Sequence, residues 1–386
     1  MSKVAVIGVG SSRFGRRDDA LLQELAFESV KEALIDAGIT QKDIGLSVVG
    51  SVGTREYELQ PAVPVNDYVG LAEKGPIRVE AACATGSAAV FTAHNAISSG
   101  AVDIAIAIGV EKMNEVDVQT STAAGGRGGS YLWEFHMLGT SFAAYYAMFA
   151  RAHMTKFGTT EEELGLVAVK NHKYAAMNPK AFFQKEIRIE DALKSRVVCS
   201  PLKLYDCCPI TDGSASVILA SEEKVRELGV KDPIWIEGIG FGADSGNLPR
   251  RDDYVGLPAA RSAAQMAFKH AKAEPKDIDV ATVHDCFTIA EIMAYEDVGF
   301  CAKGEGGKLI KEGQTYIGGK IPINIDGGLK AKGHPLGATG CAMIYELTRQ
   351  LRGQCGNRQV PLHNNMALAH NVGGHGYSAY VTVLRA

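Results

Sequence analysis

Apolar and polar positions along this chain fall into a pattern that occurs twice. Residues 4–9 and 234–239 are short β-prone apolar runs ending near glycine, each predicted as a strand. An alanine-rich stretch at helical spacing follows each one, over about residues 21–37 and 259–273. Lys42-Asp43-Ile44 then precedes a strand reaching Val49, and Lys276-Asp277-Ile278 precedes one reaching Val283. Further on, Ala84-Thr85-Gly86-Ser87-Ala88 recurs as Ala338-Thr339-Gly340-Cys341-Ala342. Each copy opens an apolar helix that ends at a glycine turn, Gly100 or Gly353. Two βαβ-type halves are therefore expected, each with a strand-or-loop-to-helix turn in an equivalent place. If the halves pack as pseudo-twofold mates, the two turns converge on one site.

A different segment, about residues 114–200, interrupts the first half. It begins with Ala123-Ala124-Gly125-Gly126-Arg127-Gly128-Gly129, which reads as a flexible loop; no strand precedes it and no GK[ST] follows, so a phosphate cradle does not fit. Helical patterns cover residues 142–157 and 161–177, the second opened by a Thr-Thr-Glu cap. The aromatic run at 131–138 suits either a cover over an apolar ligand or ordinary core. Asp212 to Leu219 reads as a strand returning to the first half.

Composition narrows the class. A chain of 386 residues buries a large core. A net charge of −4 leaves no footprint for nucleic acid or an anionic membrane. Eight cysteines without a secretory pattern suggest free thiols in a reducing compartment, and a cytoplasmic location is expected. The start reads as a strand rather than a signal peptide, the final Leu-Arg-Ala is not a peroxisomal address, and no apolar run reaches the length of a membrane span.

Four segments carry candidate chemistry. Cys83 ends a short apolar strand and faces the N-terminus of the helix behind it. Free N–H groups and the helix dipole favour a thiolate there, with a thiol pKa lowered to roughly 3.5–7.5; a cysteine in this position also packs as a small buried hydrophobe. The equivalent turn of the second half offers Gly333-His334-Pro335, a histidine able to take a thiol proton. Val283-His284-Asp285-Cys286-Phe287 ends a strand, where α/β folds place chemistry. His284 suits a carbonyl oxygen and Cys286 a proton shuttle. A metal cluster is the alternative, but no CxxC pairs or HExxH complete one. Last, His370-Asn371-Val372-Gly373-Gly374 lies between two apolar strands. Its exposed N–H groups suit an oxyanion hole, and Asn-Gly also suits a plain hairpin turn. The adjacent pair Cys207-Cys208 reads as structural.

In order and spacing these motifs resemble the thiolase superfamily over essentially the whole chain. The resemblance implies an α/β duplicated thiolase fold. Two βαβαβαββ halves, at 1–232 and 233–386, would form a five-layered α-β-α-β-α arrangement with the inserted loop domain over coenzyme A. It implies Cys83 as the acylated nucleophile and His334 as its base. Most thiolases carry an Asn-Glu-Ala-Phe segment and a second cysteine in Cys-x-Gly. This chain has His284-Asp285-Cys286-Phe287 and Asn371-Val372-Gly373 instead, similar to sterol-carrier-protein-2-type and archaeal acetoacetyl-CoA thiolases. By that resemblance Cys286 is the acid/base, His284 and His334 hold the enolate oxygen, and the N–H groups of Cys83 and Gly373 hold the tetrahedral intermediate. The implied reaction is condensation of two acetyl-CoA to acetoacetyl-CoA and CoA, or thiolysis in reverse. No metal or other cofactor is expected, and coenzyme A is substrate and product. The implied assembly is a homodimer through the strand at residues 77–81, or a dimer of dimers. Hydroxymethylglutaryl-CoA synthase and a small zinc-containing OB-fold (DUF35-type) protein are implied as partners. Two alternatives are a CoA-thioester retro-aldolase with an OB-fold partner and a non-catalytic acyl-CoA or lipid binder.

Overall fold

A computed structural model describes residues 3–386. In chain order the first half holds β1 (Val4–Ser11), α1 (Leu22–Ala37), β2 (Leu46–Gly50), α2 (Ala62–Tyr68), β3 (Ile77–Val79), α3 (Thr85–Ser98) and β4 (Ile104–Lys112). The insertion follows with α4 (Val118–Gly126), α5 (Phe142–Phe157), α6 (Glu161–Ala176), α7 (Ile189–Lys194) and the small ribbon β5 (Val197–Cys199) and β6 (Leu202–Lys203). Then β7 (Asp212–Ser221) and α8 (Glu222–Leu228) close the half. The second half holds β8 (Ile234–Ala243), α9 (Pro258–Ala271), β9 (Val280–Val283), α10 (Thr288–Val298), α11 (Gly306–Lys311), α12 (Thr339–Leu351), β10 (Met366–Gly373) and β11 (Ser378–Arg385). Met1 and Ser2, at the predicted first strand's leading edge, lie outside the described residues.

The strands order as β3-β2-β4-β7-β1 in one half and β8-β11-β10-β9 in the other. The two sets meet edge to edge where Ala5 pairs with Trp235 and Val6 with Ile234. Each β8- or β1-type strand is glycine-punctuated so that a helix can lie on it. A Cβ on Gly8 or Gly10 would lie 2.4 and 2.0 Å from the carbonyl oxygens of Ala33 and Ser29 on α1. In the second half, a Cβ on Gly238, Gly240 or Gly242 would lie 2.1 Å from those of Ala267, Ala263 and Ala259 on α9. Small residues on both surfaces thus bring helix and sheet into backbone contact. One buried cluster joins α1 and α2 to the outer face of the first sheet, through Leu22, Leu25, Val30 and Val65 against Ile7, Ile106 and Ile218. On the inner face, α3 and α12 pack on each other and on both sheets. The layering is the expected α-β-α-β-α duplication.

The insertion differs from expectation at its start. The glycine-rich stretch is not a free loop: Asp117 caps α4, accepting from Thr120 N, and the helix continues through Gly126. Gly125 lies against the Phe142 ring and Gly126 against Phe135, where a Cβ would come within 2.9 and 2.7 Å. Aromatic cover, absent from a local reading, stabilises the helix. The aromatic run forms a π-type turn, Tyr131–His136, whose Tyr131, Leu132 and Trp133 are exposed rather than core. Among the described residues no helix is long and apolar enough to cross a membrane.

Candidate active site

The turn that carries Cys83 is held by its own backbone and by Thr85. Ala84 N donates to Ala81 O and Thr85 N to Ala82 O. Thr85 Oγ1 donates to Ala82 O (2.6 Å) and accepts from Ala81 N (2.9 Å). Ala82 is pushed to φ +49°, a left-handed conformation that costs a non-glycine residue about 1–2 kcal/mol. Strain of this kind next to a candidate nucleophile fixes where the thiol points.

Four chain segments meet at that thiol. Cys83 Sγ and ring nitrogens of His284 and His334 lie within 4.8 Å of one another, all buried, a spacing that a metal ion could also bridge. The two imidazoles meet edge to face with centroids 5.1 Å apart. Cys286 shares with Cys83 and His334 an inner pocket of about 110 Å³, walled by Met113, Phe142 and Ile210. Outside it, a cleft of about 840 Å³ leads from Cys83 past Arg55, Arg78 and Arg127 to Tyr131.

His334 has a defined tautomer. Thr339 Oγ1 gives its own proton to Pro335 O (2.9 Å), so it accepts from His334 Nδ1 (2.7 Å). Nε2 then carries a lone pair, and it is buried without a partner among the described residues. Burial lowers the ring's pKa to about 3, so it stays neutral. The Cys83 thiol departs from expectation: burial pushes it up to about 11, which outweighs the cation of Arg55 and the N–H groups facing the sulphur. The resting pair is thiol and imidazole, not thiolate and imidazolium. Such a pair exchanges its proton only when a substrate supplies compensating charge or closes the distance.

The amide facing the Cys83 sulphur is that of Gly374, not Gly373. Gly373 ends β10 opposite Ser378, with the Cβ position blocked by Ser378 Oγ at 2.2 Å. The segment expected as a turn is mostly strand, since His370 to Gly373 pair with β11, and the turn begins one residue later.

Asp285 turns away from the pocket. It accepts from Leu329 N (2.7 Å), Lys330 N (3.0 Å) and Asn171 Nδ2 (2.7 Å), tying the His284–Cys286 segment to the stretch just before His334. Burial and the neighbouring Glu291 raise its pKa. Cys286 is a thiol, its pKa raised well above the usual value by burial.

Several contributors had no motif to announce them. Tyr146, from the insertion, stacks on Phe287 (4.6 Å) and donates to Gly374 O (3.2 Å). Its hydroxyl also meets the Cys286 thiol. Glu111 accepts from Val52 N (3.1 Å), Gly53 N (3.1 Å) and Gly337 N (2.7 Å), joining loops of both halves. Arg55 is 5 % exposed, with no ion pair among the described residues, and is held by Ser121 and Thr54. Cys208, expected to be merely structural, lines the inner pocket.

Comparison with known proteins agrees with this geometry. A family model described as thiolase, N-terminal domain, matches residues 4–223, and one described as thiolase C-terminal domain-like matches residues 240–386. An acetyl-CoA acetyltransferase of Methanothermobacter thermautotrophicus is 42 % identical over 385 residues, covering 99 % of both chains. Sterol carrier protein 2 of Bos taurus is 35 % identical over 386 residues, covering 96 % of this chain and 70 % of that protein. Among solved structures, an Ltp2-ChsH2(DUF35) aldolase superposes with a TM-score of 0.85 at 29 % identity, covering 100 % of this chain and 98 % of that one.

Proposed function

Because this chain belongs to the thiolase family, we propose that it catalyses acyl transfer with carbon–carbon bond chemistry on coenzyme A thioesters. The reaction is condensation of two acetyl-CoA to acetoacetyl-CoA and CoA, or thiolysis of a 3-oxoacyl-CoA in reverse. The observation that carries this reading is the convergence of two thiols and the His334 imidazole on one pocket, with a ring nitrogen of His284 within 4.8 Å of Cys83 and His334.

In thiolysis, His334 Nε2 takes the Cys83 proton as the thiolate attacks the keto carbon. The protonated Nε2 then becomes a donor to the departing enolate oxygen, beside His284. Cys286 gives its proton to the enolate carbon, and acetyl-CoA leaves. CoA thiol enters along the cleft, gives its proton to the Cys286 thiolate, and takes the acyl group from Cys83, whose sulphur recovers its proton from His334. The N–H of Gly374 is placed for the oxyanion on the Cys83 side. Condensation runs the same steps backward: Cys83 is acetylated, Cys286 removes an α-proton, and the enolate attacks the thioester. Nothing here needs a metal, nicotinamide or flavin; coenzyme A is substrate and product. The cleft's arginines suit its phosphates.

The likeness to an aldolase structure favours a second reading, a CoA-thioester retro-aldolase with a DUF35-type partner. A buried thiol and its base at the pocket floor support the Claisen reaction, which needs a covalent acyl carrier. In the same proposal the chain acts in the cytoplasm as a homodimer or dimer of dimers, where the edge strand β3 with exposed Ile77 is free to pair. A small zinc-containing OB-fold protein would join it to a hydroxymethylglutaryl-CoA synthase, which would draw off the product. A panel of 3-oxoacyl-CoAs from four to sixteen carbons, assayed in both directions, tests the function. CoA-dependent cleavage of these supports it; cleavage of a 3-hydroxyacyl-CoA to a carbonyl compound and a shorter acyl-CoA, with no added CoA, favours the aldolase.

A further inference from the structure

One buried side chain at the site has no role in the reaction scheme. Asn371, on β10, is fully buried and touches both halves. Its Oδ1 accepts from Ser87 Oγ on α3 (3.0 Å). Its Nδ2 donates to the Cys83 carbonyl (3.1 Å). A carbonyl oxygen only accepts, so it fixes which end of the amide is nitrogen. The second N–H of that nitrogen meets His284 Nδ1 at 3.0 Å.

The consequence for His284 is strict. An Nδ1 that accepts from an amide N–H has no proton of its own. A neutral imidazole carries one proton, which then sits on Nε2. That Nε2 is buried and has no partner among the described residues. The ring is held neutral, its pKa pushed well below the usual value by burial and by His334 and His370. His334 is fixed the opposite way by Thr339, with a bare Nε2. Two rings 5.1 Å apart thus present opposite faces, one a hydrogen-bond donor and one a base.

We propose that Asn371 is a positioning residue that sets the His284 tautomer, so that Nε2–H is ready to receive the enolate oxygen of the substrate. This rests on the thiolase reading above, in which His284 stabilises that oxygen. The reason for the arrangement is chemical. With the proton on Nδ1, Nε2 would present a lone pair to a developing negative charge and repel it. Fixing the tautomer in advance removes that cost at the moment of reaction. The same bond network places the donor relative to the nucleophile, since Asn371 holds the Cys83 carbonyl with the other hydrogen of the same nitrogen.

Asn371→Asp is the discriminating change. It keeps the side chain's shape but makes it accept from His284 Nδ1–H instead of donating, which inverts the tautomer or protonates the ring. Asn371→Ala removes the constraint without reversing it. With nitrogen-labelled histidine, and His284→Asn to assign the signal, the wild-type spectrum should show the His284 proton on Nε2. In Asn371→Asp it should show a proton on Nδ1. Thiolysis kcat should fall by about 100- to 1000-fold in Asn371→Asp, the usual cost of one lost oxyanion donor. KM for the acyl-CoA should change little, Cys83 should still acetylate, and Asn371→Ala should fall between. A purely structural asparagine would make the alanine variant the worse of the two. A wild-type His284 proton on Nδ1, or an Asn371→Asp enzyme within a few-fold of wild type, would overturn the proposal. The wild-type spectrum decides even if the aspartate variant fails to fold. If no 3-oxoacyl-CoA is cleaved at all, the thiolase reading fails while the tautomer is still read.

Discussion

Gly86 and Gly340, equivalent positions in the two halves, back onto each other where α3 and α12 begin. A Cβ on Gly86 would lie 2.8 Å from Gly340 N, and one on Gly340 would lie 2.1 Å from Ser87 N. The duplicated Ala-Thr-Gly motif is therefore the seam between the halves, and the two turns that open on it carry Cys83 and His334.

Gly340→Ala should separate the helix starts. Overpacking of this kind costs about 1–3 kcal/mol, and backbone atoms on the far side have little room to yield. A denaturant midpoint below wild type is expected, together with slower Cys83 acetylation, because His334 moves with α12. Unchanged stability would show that the seam is looser than the distances imply.

Cys286→Ala separates the two thiols by step. Acetylation of Cys83 should survive, and exchange of the acetyl-CoA methyl hydrogens with deuterated water should stop. Exchange at the wild-type rate would show that another group takes the α-proton.

The free enzyme's Cys83 should alkylate with a pH midpoint above the ~8.5 of an unperturbed cysteine, since burial raises its pKa to about 11. The nearby Arg55 cation favours the thiolate, so Arg55→Leu should move the midpoint further up. Iodoacetamide rates, read on the Cys83 peptide, check both; a midpoint below that of free cysteine would contradict the account.

Phe142 stands where cavities meet. With Met113, Ile210 and Phe287 it borders the inner pocket of about 110 Å³ and a neighbouring cavity of about 240 Å³. Phe142→Ala should join them and shift preference toward longer acyl chains. A rise of roughly tenfold or more in the kcat/KM ratio of eight-carbon over four-carbon 3-oxoacyl-CoA is the scale that pocket methylenes command. An unchanged ratio would place the chain-length filter elsewhere.

Much of this was legible in the sequence because the duplication repeats its period-two and helical patterns, and because Cys83, His284, Cys286 and His334 sit in recognisable local motifs. What escaped depends on contacts distant in sequence. Gly125 and Gly126 stay helical under Phe142 and Phe135, neither of which a local reading of glycine weighs. Asn371 and Gly373 look like turn residues, yet pairing with β11 keeps them in the strand, and it is the Gly374 amide that faces the Cys83 sulphur. Arg55, Glu111 and Tyr146 come from separate elements with no shared spacing. The lowered thiol pKa expected at a helix start was reversed by burial, a property of the whole fold.

The central claim is covalent acyl transfer through Cys83. Its most direct test is intact-mass measurement, with peptide mapping, after brief incubation with acetyl-CoA. The account predicts one acetyl group on the Cys83 peptide of the wild type, discharged by added CoA, and none in Cys83→Ser. An unmodified wild type, or the same adduct in Cys83→Ser, would contradict it.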